Sequence, residues 1–357
     1  MHRYDYSFLK HEVSGRFIGL TEIISDLNAK EEFRKLLYSD TFDGLREKAL
    51  IESVEASNAI EGIVSTKSRI EDIVSGAAPV THDEKEISGY KDALAMIHEA
   101  HDHIDLNEDL ILLLHRMIQQ QTDIEKAGKY KKTDNLIMEY DNDGNRHVRF
   151  RPVAANDVKQ NMEQMMLAYY EARQDSEISP LLLIPCLVLD FLCIHPFNDG
   201  NGRISRIINI LLLYQSGYDI VKYVSLENQI NKYRYNYYEA LRDSSDLWHE
   251  NGNDYTPFIT FSLQIIYKCF KELDGSFSEI SLKKAKKSER VEAVLMDSVV
   301  PVSKHDIKDR LPDVSVKTIE LVLNKMMKEN KIKKIGTFKN ARYMRNYDQS
   351  TGKTSSR

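Results

Sequence analysis

The 357-residue sequence predicts a mainly α-helical protein that ends in a small α+β module. Three observations carry that expectation. Apolar residues recur at helical spacing through most of the first 278 positions, with capping residues and glycine stops between the runs, and a single stretch there alternates as a β-hairpin should. From Glu279 onward the charge balance reverses: 19 Lys and Arg stand against 10 Asp and Glu, a net of +9 in a chain whose total is −6. A basic terminal module on an acidic body suggests a unit with its own partner, nucleic acid among the candidates.

Composition narrows the class. The length allows two or three domains, and 42% hydrophobic residues suffice for a core in each. Cys186, Cys193 and Cys269 give no disulfide framework and suggest a reducing compartment. Met1 to Lys10 is too polar for a signal peptide. The longest apolar run, Leu181 to Ile194, contains Asp190 and falls short of the roughly 18 residues of a membrane span. The expectation is a cytoplasmic protein with no membrane partner.

In chain order, Phe17, Ile18, Ile24, Leu27, Phe33 and Leu37 predict one amphipathic helix over residues 15–38, or two broken near Asn28. A second runs from about Gly44 to Glu61 and stops at Gly62, which suits a left-handed cap. Glu61 then lies at the negative end of a helix dipole and wants a positive partner from elsewhere. Residues 81–121 predict two helices, opened by a Thr81 to Glu84 capping box and by Asn107. His98, His101 and His103 lack a metal-binding order and read as one face of a surface helix. Asp141 to Asn145 has its glycine at the wrong offset for a calcium loop and Pro152 where the bidentate acid should stand. It reads as the turn of a hairpin between strands Leu136 to Tyr140 and Arg146 to Phe150, with Asp143-Gly144 as the turn signal. Helices are expected over 153–173, Pro180 to Ile194, Ile204 to Tyr214, from Asn231 to Leu241 and over Tyr255 to Leu273, with Gly217 to Leu226 as a connector. Ser281 to Ser288 reads as a lysine-rich linker. Three short helices (Glu289 to Asp297, Ser303 to Leu311, Ser315 to Glu329) and strands near Ile332 to Ile335 and Ala341 to Arg345 then predict a winged helix-turn-helix. Its third helix would bury Ile319, Val322, Leu323 and Met326 and turn Lys317, Asn324, Lys325 and Lys328 outward. Such a unit serves DNA and protein partners alike. The tail from Tyr347 reads as disordered, and its GKT lacks the upstream glycine of a P-loop.

The chemistry concentrates in His195 to Arg206, HPFNDGNGRISR, a polar loop between two apolar helices. A helix opening at Gly202 or Arg203 aims free N–H groups and a positive dipole end at the loop, which favours an anion. Gly200 and Gly202 let backbone approach a ligand. Arg203 and Arg206 share a face and can grip two phosphate oxygens from one side. Asp199 is a hard oxygen ligand of the kind Mg²⁺ takes beside polyphosphate. His195, near the ordinary value of about 6.5, can accept a proton when neutral. Phe197 reads as a structural anchor of the loop.

The string resembles the Fic family pattern H-x-F-x-(D or E)-G-N-G-R-x-x-R at every fixed position. The resemblance implies a Fic-type helical bundle that moves AMP from ATP onto a protein hydroxyl. His195 is then the base, Asp199 the Mg²⁺ ligand, Gly200, Asn201 and Gly202 the phosphate cradle, and Arg203 and Arg206 the triphosphate clamps. Ser57 to Gly62, SNAIEG, resembles the family's inhibitory motif (S or T)-x-x-x-E-(G or N), which implies that Glu61 pairs with Arg206 in the place of the terminal phosphate. Relatives place a tyrosine and an asparagine of the Tyr-rich helix near the adenine, so Tyr237 or Tyr238 could stack on a base, although a tyrosine stripe reads equally as core. The hairpin, residues 135–151, resembles the family's flap, on which a target segment docks by strand addition; covering the core is the plainer role.

These readings divide the chain into an N-terminal helical region (1–80), a catalytic core (81–278), a linker (279–288), a winged helix (289–346) and a tail (347–357). A homodimer is among the expected assemblies. Two alternatives stay open. Glu61 could orient a water that removes AMP, or the body could sense ATP for a DNA-binding regulator, which would need the phosphate cradle but not His195.

Overall fold

The computed structural model describes residues 2–10, 14–37, 39–140, 145–284, 287–298, 301–336 and 341–346. The chain divides into two compact units, Met1–Leu273 and Asp274–Arg357. Among the described residues no helix is long and apolar enough to cross a membrane.

The first unit is a helical bundle. It begins with α1 (Ser14–Leu37), one helix with no break at Asn28, and α2 (Ser39–Ile60). Gly62 ends α2 in the left-handed region at φ 81°, the conformation glycine adopts without a Cβ penalty. A short helix absent from the sequence reading, α3 (Lys67–Val74), follows from a Thr66 cap and buries Ile70 and Ile73. The Thr81–Glu84 capping box opens α4 (His82–Ala100), and Asn107 caps α5 (Glu108–Gln119). Strands β1 (Ile137–Tyr140) and β2 (Arg146–Phe150) pair antiparallel, with Met138 opposite Val148 and Tyr140 opposite Arg146. The Asp143-Gly144 turn lies outside the described residues.

Helix α6 (Val158–Arg173) packs on α7 (Pro180–Ile194), which packs on α8 (Asn201–Gln215). Nearly every side chain of α7 and α8 is buried, so the polar loop between them is mounted on the core. Asp190, fully buried on α7, accepts hydrogen bonds from Tyr6 and Tyr255 hydroxyls at 2.8 Å and from Trp248 Nε1 at 2.7 Å. Burial nonetheless pushes its carboxyl up to about 7. The Tyr-rich region is two helices, α9 (Leu226–Lys232) and α10 (Arg234–Ser245), broken at Tyr233. Glu227, fully buried on α9, accepts from Tyr90 of α4 at 2.7 Å and from Ser53 of α2 at 2.8 Å, which fixes the last turns of α2. Helix α11 (Thr256–Lys284) contains the unit boundary and runs on into the stretch read as a linker.

His98 and His101 do not lie on a solvated face. His98 Nδ1 meets the Tyr214 hydroxyl at 2.5 Å, and His101 stacks on the same ring at 4.3 Å. They pack on α8 because Tyr214 offers both a hydroxyl and a ring face.

In the second unit, α12 (Lys287–Asp297), β3 (Val302–Ser303), α13 (Lys304–Arg310), α14 (Val316–Lys328), β4 (Ile332–Ile335) and β5 (Arg342–Arg345) follow in order. The sheet order is β3-β5-β4, antiparallel throughout. A Ser303–Asp306 capping box opens α13, and Ser315 caps α14. Ile319, Val322, Leu323 and Met326 enter the core with Val302, Ile332 and Tyr343, while Lys317, Asn324, Lys325 and Lys328 are exposed. The tail read as disordered, 347–357, lies outside the described residues.

Candidate active site

His195 closes α7 in the left-handed region, at φ 51°. Its Nδ1 lies 3.2 Å from the Leu192 carbonyl oxygen, an acceptor only, so Nδ1 carries the proton and donates it there. Nε2 therefore keeps its lone pair. Burial pushes the imidazole down to about 4, the Leu192 bond opposes that shift, and the Lys131 charge adds to it. Lys131 is itself buried, with Nζ 2.7 Å from Asn135 Oδ1, and burial pushes it down to about 8.

The loop after His195 is clipped by Asn201. Its Oδ1 accepts from the Phe197 N–H at 3.0 Å and its Nδ2 donates to the Phe197 carbonyl at 2.9 Å. Phe197 is fully buried and stacks on His115 at 3.9 Å. Gly200, at φ 82°, precedes the first turn of α8, which opens at Asn201, one residue earlier than expected. The Asn201 side chain is thus engaged by the loop, and its backbone N–H stands at the opening of α8.

Arg206 is buried and surrounded by the end of α2. Its Nε donates to Ser57 Oγ and its Nη2 to the Ser57 carbonyl, both at 2.9 Å, and Nη2 also meets Glu61 Oε1 at 2.8 Å. A Cβ on Gly202 would collide with that carboxylate oxygen. Glu61, misplaced at the end of α2, therefore finds two positive partners: Arg206 and the N-terminal end of α8.

Glu61, His195, Gly202 and Arg206 share a cavity of about 310 Å³ with Tyr237, Tyr238, Leu136, Ile137, Arg149 and Ser245. Tyr237 is 4% exposed and packs its ring against Phe258 and Phe261, so it is a core residue with one edge on the cavity. Tyr238 is half-exposed, and its hydroxyl donates to the Ile60 carbonyl at 3.4 Å.

Arg203 and Asp199 stand apart from this cavity. Arg203, fully buried, pairs with Glu86 of α4 and donates to Asp199 Oδ2 at 3.2 Å. Arg203 and Arg206 share a helix face, as expected, and each has its own acid: α4 supplies Glu86 to Arg203, and Glu61 at the end of α2 meets Arg206. Asp199 lines a second cavity of about 220 Å³ with Glu86, His115 and Gln119. Its oxygens take the Gly200 N–H at 2.6 Å and Gln119 Nε2 at 3.1 Å, while its side chain stays 66% exposed. One oriented carboxylate open to solvent is a donor set that fits Mg²⁺, which completes its shell with water and phosphate oxygens.

The sequence reading missed Glu86, Gln119, Lys131 and Arg149, which belong to no local pattern. Glu86 sits near a capping box, but nothing in α4 says that it faces Arg203.

Residues 105–213 match the Fic/DOC family. A Fido domain-containing protein of Dictyostelium discoideum is 34% identical over 114 residues, which span 32% of this chain and 75% of that protein. The chain belongs to the Fic/DOC family. A protein adenylyltransferase Fic of Nematostella vectensis is 27% identical over 227 residues, 60% of this chain and 46% of that protein. The chain thus spans about half the length of that curated relative. A solved Fic family protein of Desulfovibrio desulfuricans superposes with a TM-score of 0.60 at 19% identity, covering 95% of this chain and 97% of that one, a likeness of Fic fold.

Proposed function

We propose that the chain is a protein adenylyltransferase held in check by its own Glu61. The observation that carries this reading is His195, neutral and with Nε2 unprotonated, in one cavity with Gly202 and Arg206. A target hydroxyl gives its proton to His195 Nε2 as its oxygen bonds to the α-phosphorus of ATP. The bond from that phosphorus to the bridging oxygen breaks, and pyrophosphate leaves. The N–H groups at the opening of α8, Gly200 to Gly202, and the Arg206 guanidinium receive the phosphates. Arg203 orients Asp199, which would hold Mg²⁺. When bound, the ion neutralises phosphate charge. Tyr237 and Tyr238 flank the space for the base, and Phe197 keeps the loop rigid.

Restraint follows from the Glu61 carboxylate, which occupies Arg206 and the space before Gly202 where a terminal phosphate would sit. Ser57 holds the same guanidinium, and Gly62 lets the chain turn away. The hairpin over 135–151 offers β-strand edges to a target segment.

For the second unit, the helix order and three-stranded sheet support a winged helix-turn-helix whose α14 face, with Lys317 and Lys328 exposed, contacts nucleic acid or protein. A DNA mobility shift that persists after residues 289–357 are removed would sink that assignment.

The enzyme reading is tested with Mg²⁺ and ATP labelled at the α- or the γ-phosphate, in a Glu61→Gly chain. Protein-bound label from the α position only, lost when His195→Ala is added, is expected. Label from the γ position only would mean phosphoryl transfer and refute AMP transfer.

A further inference from the structure

His195 holds a conformation that its own chain does not favour. It is a non-glycine residue at φ 51°, and L side chains stay in the left-handed region only when the surroundings keep them there. As the cap of α7 it also leaves the last carbonyls of that helix without donors from within the helix. The donors come from the segments that lead into and out of the hairpin. On the way in, the Lys131 N–H donates to the Pro196 carbonyl at 2.9 Å and Lys131 Nζ to the Ile194 carbonyl at 3.4 Å. Asn135 Nδ2 donates to the Phe197 carbonyl at 3.1 Å. On the way out, the Val153 N–H donates to the Cys193 carbonyl at 3.4 Å. Asp134 Oδ1 takes the Ala155 N–H at 2.7 Å, which ties the two segments to each other. The carbonyls of Ile194, Pro196 and Phe197, on both sides of the base, are thus held from residues 131 and 135.

Lys131 is the centre of this clamp. It is 3% exposed, and a buried ammonium needs acceptors in place of water. The two that it meets are neutral: Asn135 Oδ1 at 2.7 Å, and the Ile194 carbonyl at the end of α7, where the helix dipole is negative. An apolar side chain would fill the same space without desolvating a charge, so the ammonium answers to what lies beside it. The charged groups around His195 are Lys131, Glu61 and Asp199, with Arg149 and Arg206 on the cavity wall. Among them Lys131 is the cation bonded to the backbone next to the base.

We infer that Lys131, together with Asn135, is a positioning residue for His195: the pair fixes the carbonyls on either side of the base and so keeps its imidazole in the cavity for proton transfer. The inference rests on the nucleotide-transfer reading above and adds to it two residues outside the motif string. The root of the hairpin thereby sets the base.

Rates of AMP incorporation from α-labelled ATP test it in the Glu61→Gly chain, alone and with Lys131→Met, Lys131→Arg or Asn135→Ala, each followed over ATP concentration and pH. Lys131→Met is expected to lower kcat about tenfold or more and to leave KM for ATP within about threefold, because a displaced base slows proton transfer without touching nucleotide binding. It should also move the acid limb of the pH profile upward, since a cation that disfavours the imidazolium is gone. Lys131→Arg keeps the charge and a donor, so it should recover most of the rate and leave the limb in place. Asn135→Ala should lower kcat about threefold or more at the same KM. A raised KM at unchanged kcat would mean that the ammonium meets a phosphate. Equal losses in Lys131→Met and Lys131→Arg with an unmoved limb would mean that the lysine only packs. Either result would overturn the inference. If Lys131→Met does not fold, Asn135→Ala decides by the same split between kcat and KM. Parental kcat in all three variants would refute this inference and leave the transferase reading standing; a Glu61→Gly parent that transfers no label would refute both.

Discussion

Arg206 Nη2 and Glu61 Oε1 stand 2.8 Å apart, and the same carboxylate oxygen lies where a side chain on Gly202 would have to go. One group thus neutralises the buried guanidinium and fills the approach to the opening of α8. Removing it leaves Arg206 with two Ser57 acceptors, so the cation is not stranded.

Ser57→Ala should therefore loosen the restraint without abolishing it. It removes the Arg206 Nε acceptor and keeps Glu61. Denaturant unfolding is expected to report a loss of about 1–2 kcal/mol, and AMP transfer should fall between wild type and Glu61→Gly. Transfer equal to that of Glu61→Gly would mean that Ser57 carries the whole restraint.

Glu86 and Asp199 both touch Arg203, but with different consequences. Glu86→Ala leaves a fully buried guanidinium with the largely exposed Asp199 carboxylate as its one acid, and a loss of about 3 kcal/mol is expected in denaturant unfolding. Asp199→Ala leaves the Glu86 pair intact. It should change stability by less than about 1 kcal/mol while lowering Mg²⁺-dependent transfer by tenfold or more, on the order of one lost ionic ligand. Equal unfolding midpoints for the two variants would contradict this division.

The pH dependence of kcat/KM should report His195. Burial has pushed it down to about 4, so it stays unprotonated far below the ordinary histidine range. Transfer by Glu61→Gly is expected to hold between pH 8 and 6 and to decline only as pH approaches 4. An acid limb centred at about 6.5 would show that the imidazole is not held neutral as described.

Stability has its own pH signature. His2, His98, His115 and His195 are all lowered to about 4, burial being the largest cause in each. Between pH 6.5 and 4 the unfolded chain binds protons at these positions and the folded chain does not, so they make stability fall as pH falls. Asp190, raised to about 7, works the other way over pH 7 to 4, because there the folded chain holds the proton. Four groups against one predict a melting temperature that drops from pH 6.5 to 4.5. Asp190→Asn removes the opposing proton uptake and should steepen the drop; a flat profile would contradict the four buried histidines.

What the sequence revealed and what it hid follow from range. The Thr81–Glu84 box, the Asn107 cap and the Gly62 stop are contacts within one helical turn, and each is where local chemistry put it. The break at Tyr233 carries neither Gly nor Pro, so the Tyr-rich region read as one helix. Strand β3, two residues long, is too short to show alternation. In the site, His195 and Arg206 were legible because a twelve-residue string carries them. The Arg203 partner was not, since Glu86 lies 117 positions away and only the packing of α4 on α8 brings it near. Arg149 was hidden for the same reason, since it lines the cavity from strand β2 and not from the motif string.

The most direct test of the central claim is the rate of AMP incorporation from α-labelled ATP by wild type and Glu61→Gly, at equal concentration and in Mg²⁺. Glu61→Gly is expected to exceed wild type by tenfold or more, on the order of the 1.4 kcal/mol or greater that freeing Arg206 for a phosphate should supply. Equal rates would show that the Glu61 contact restrains nothing.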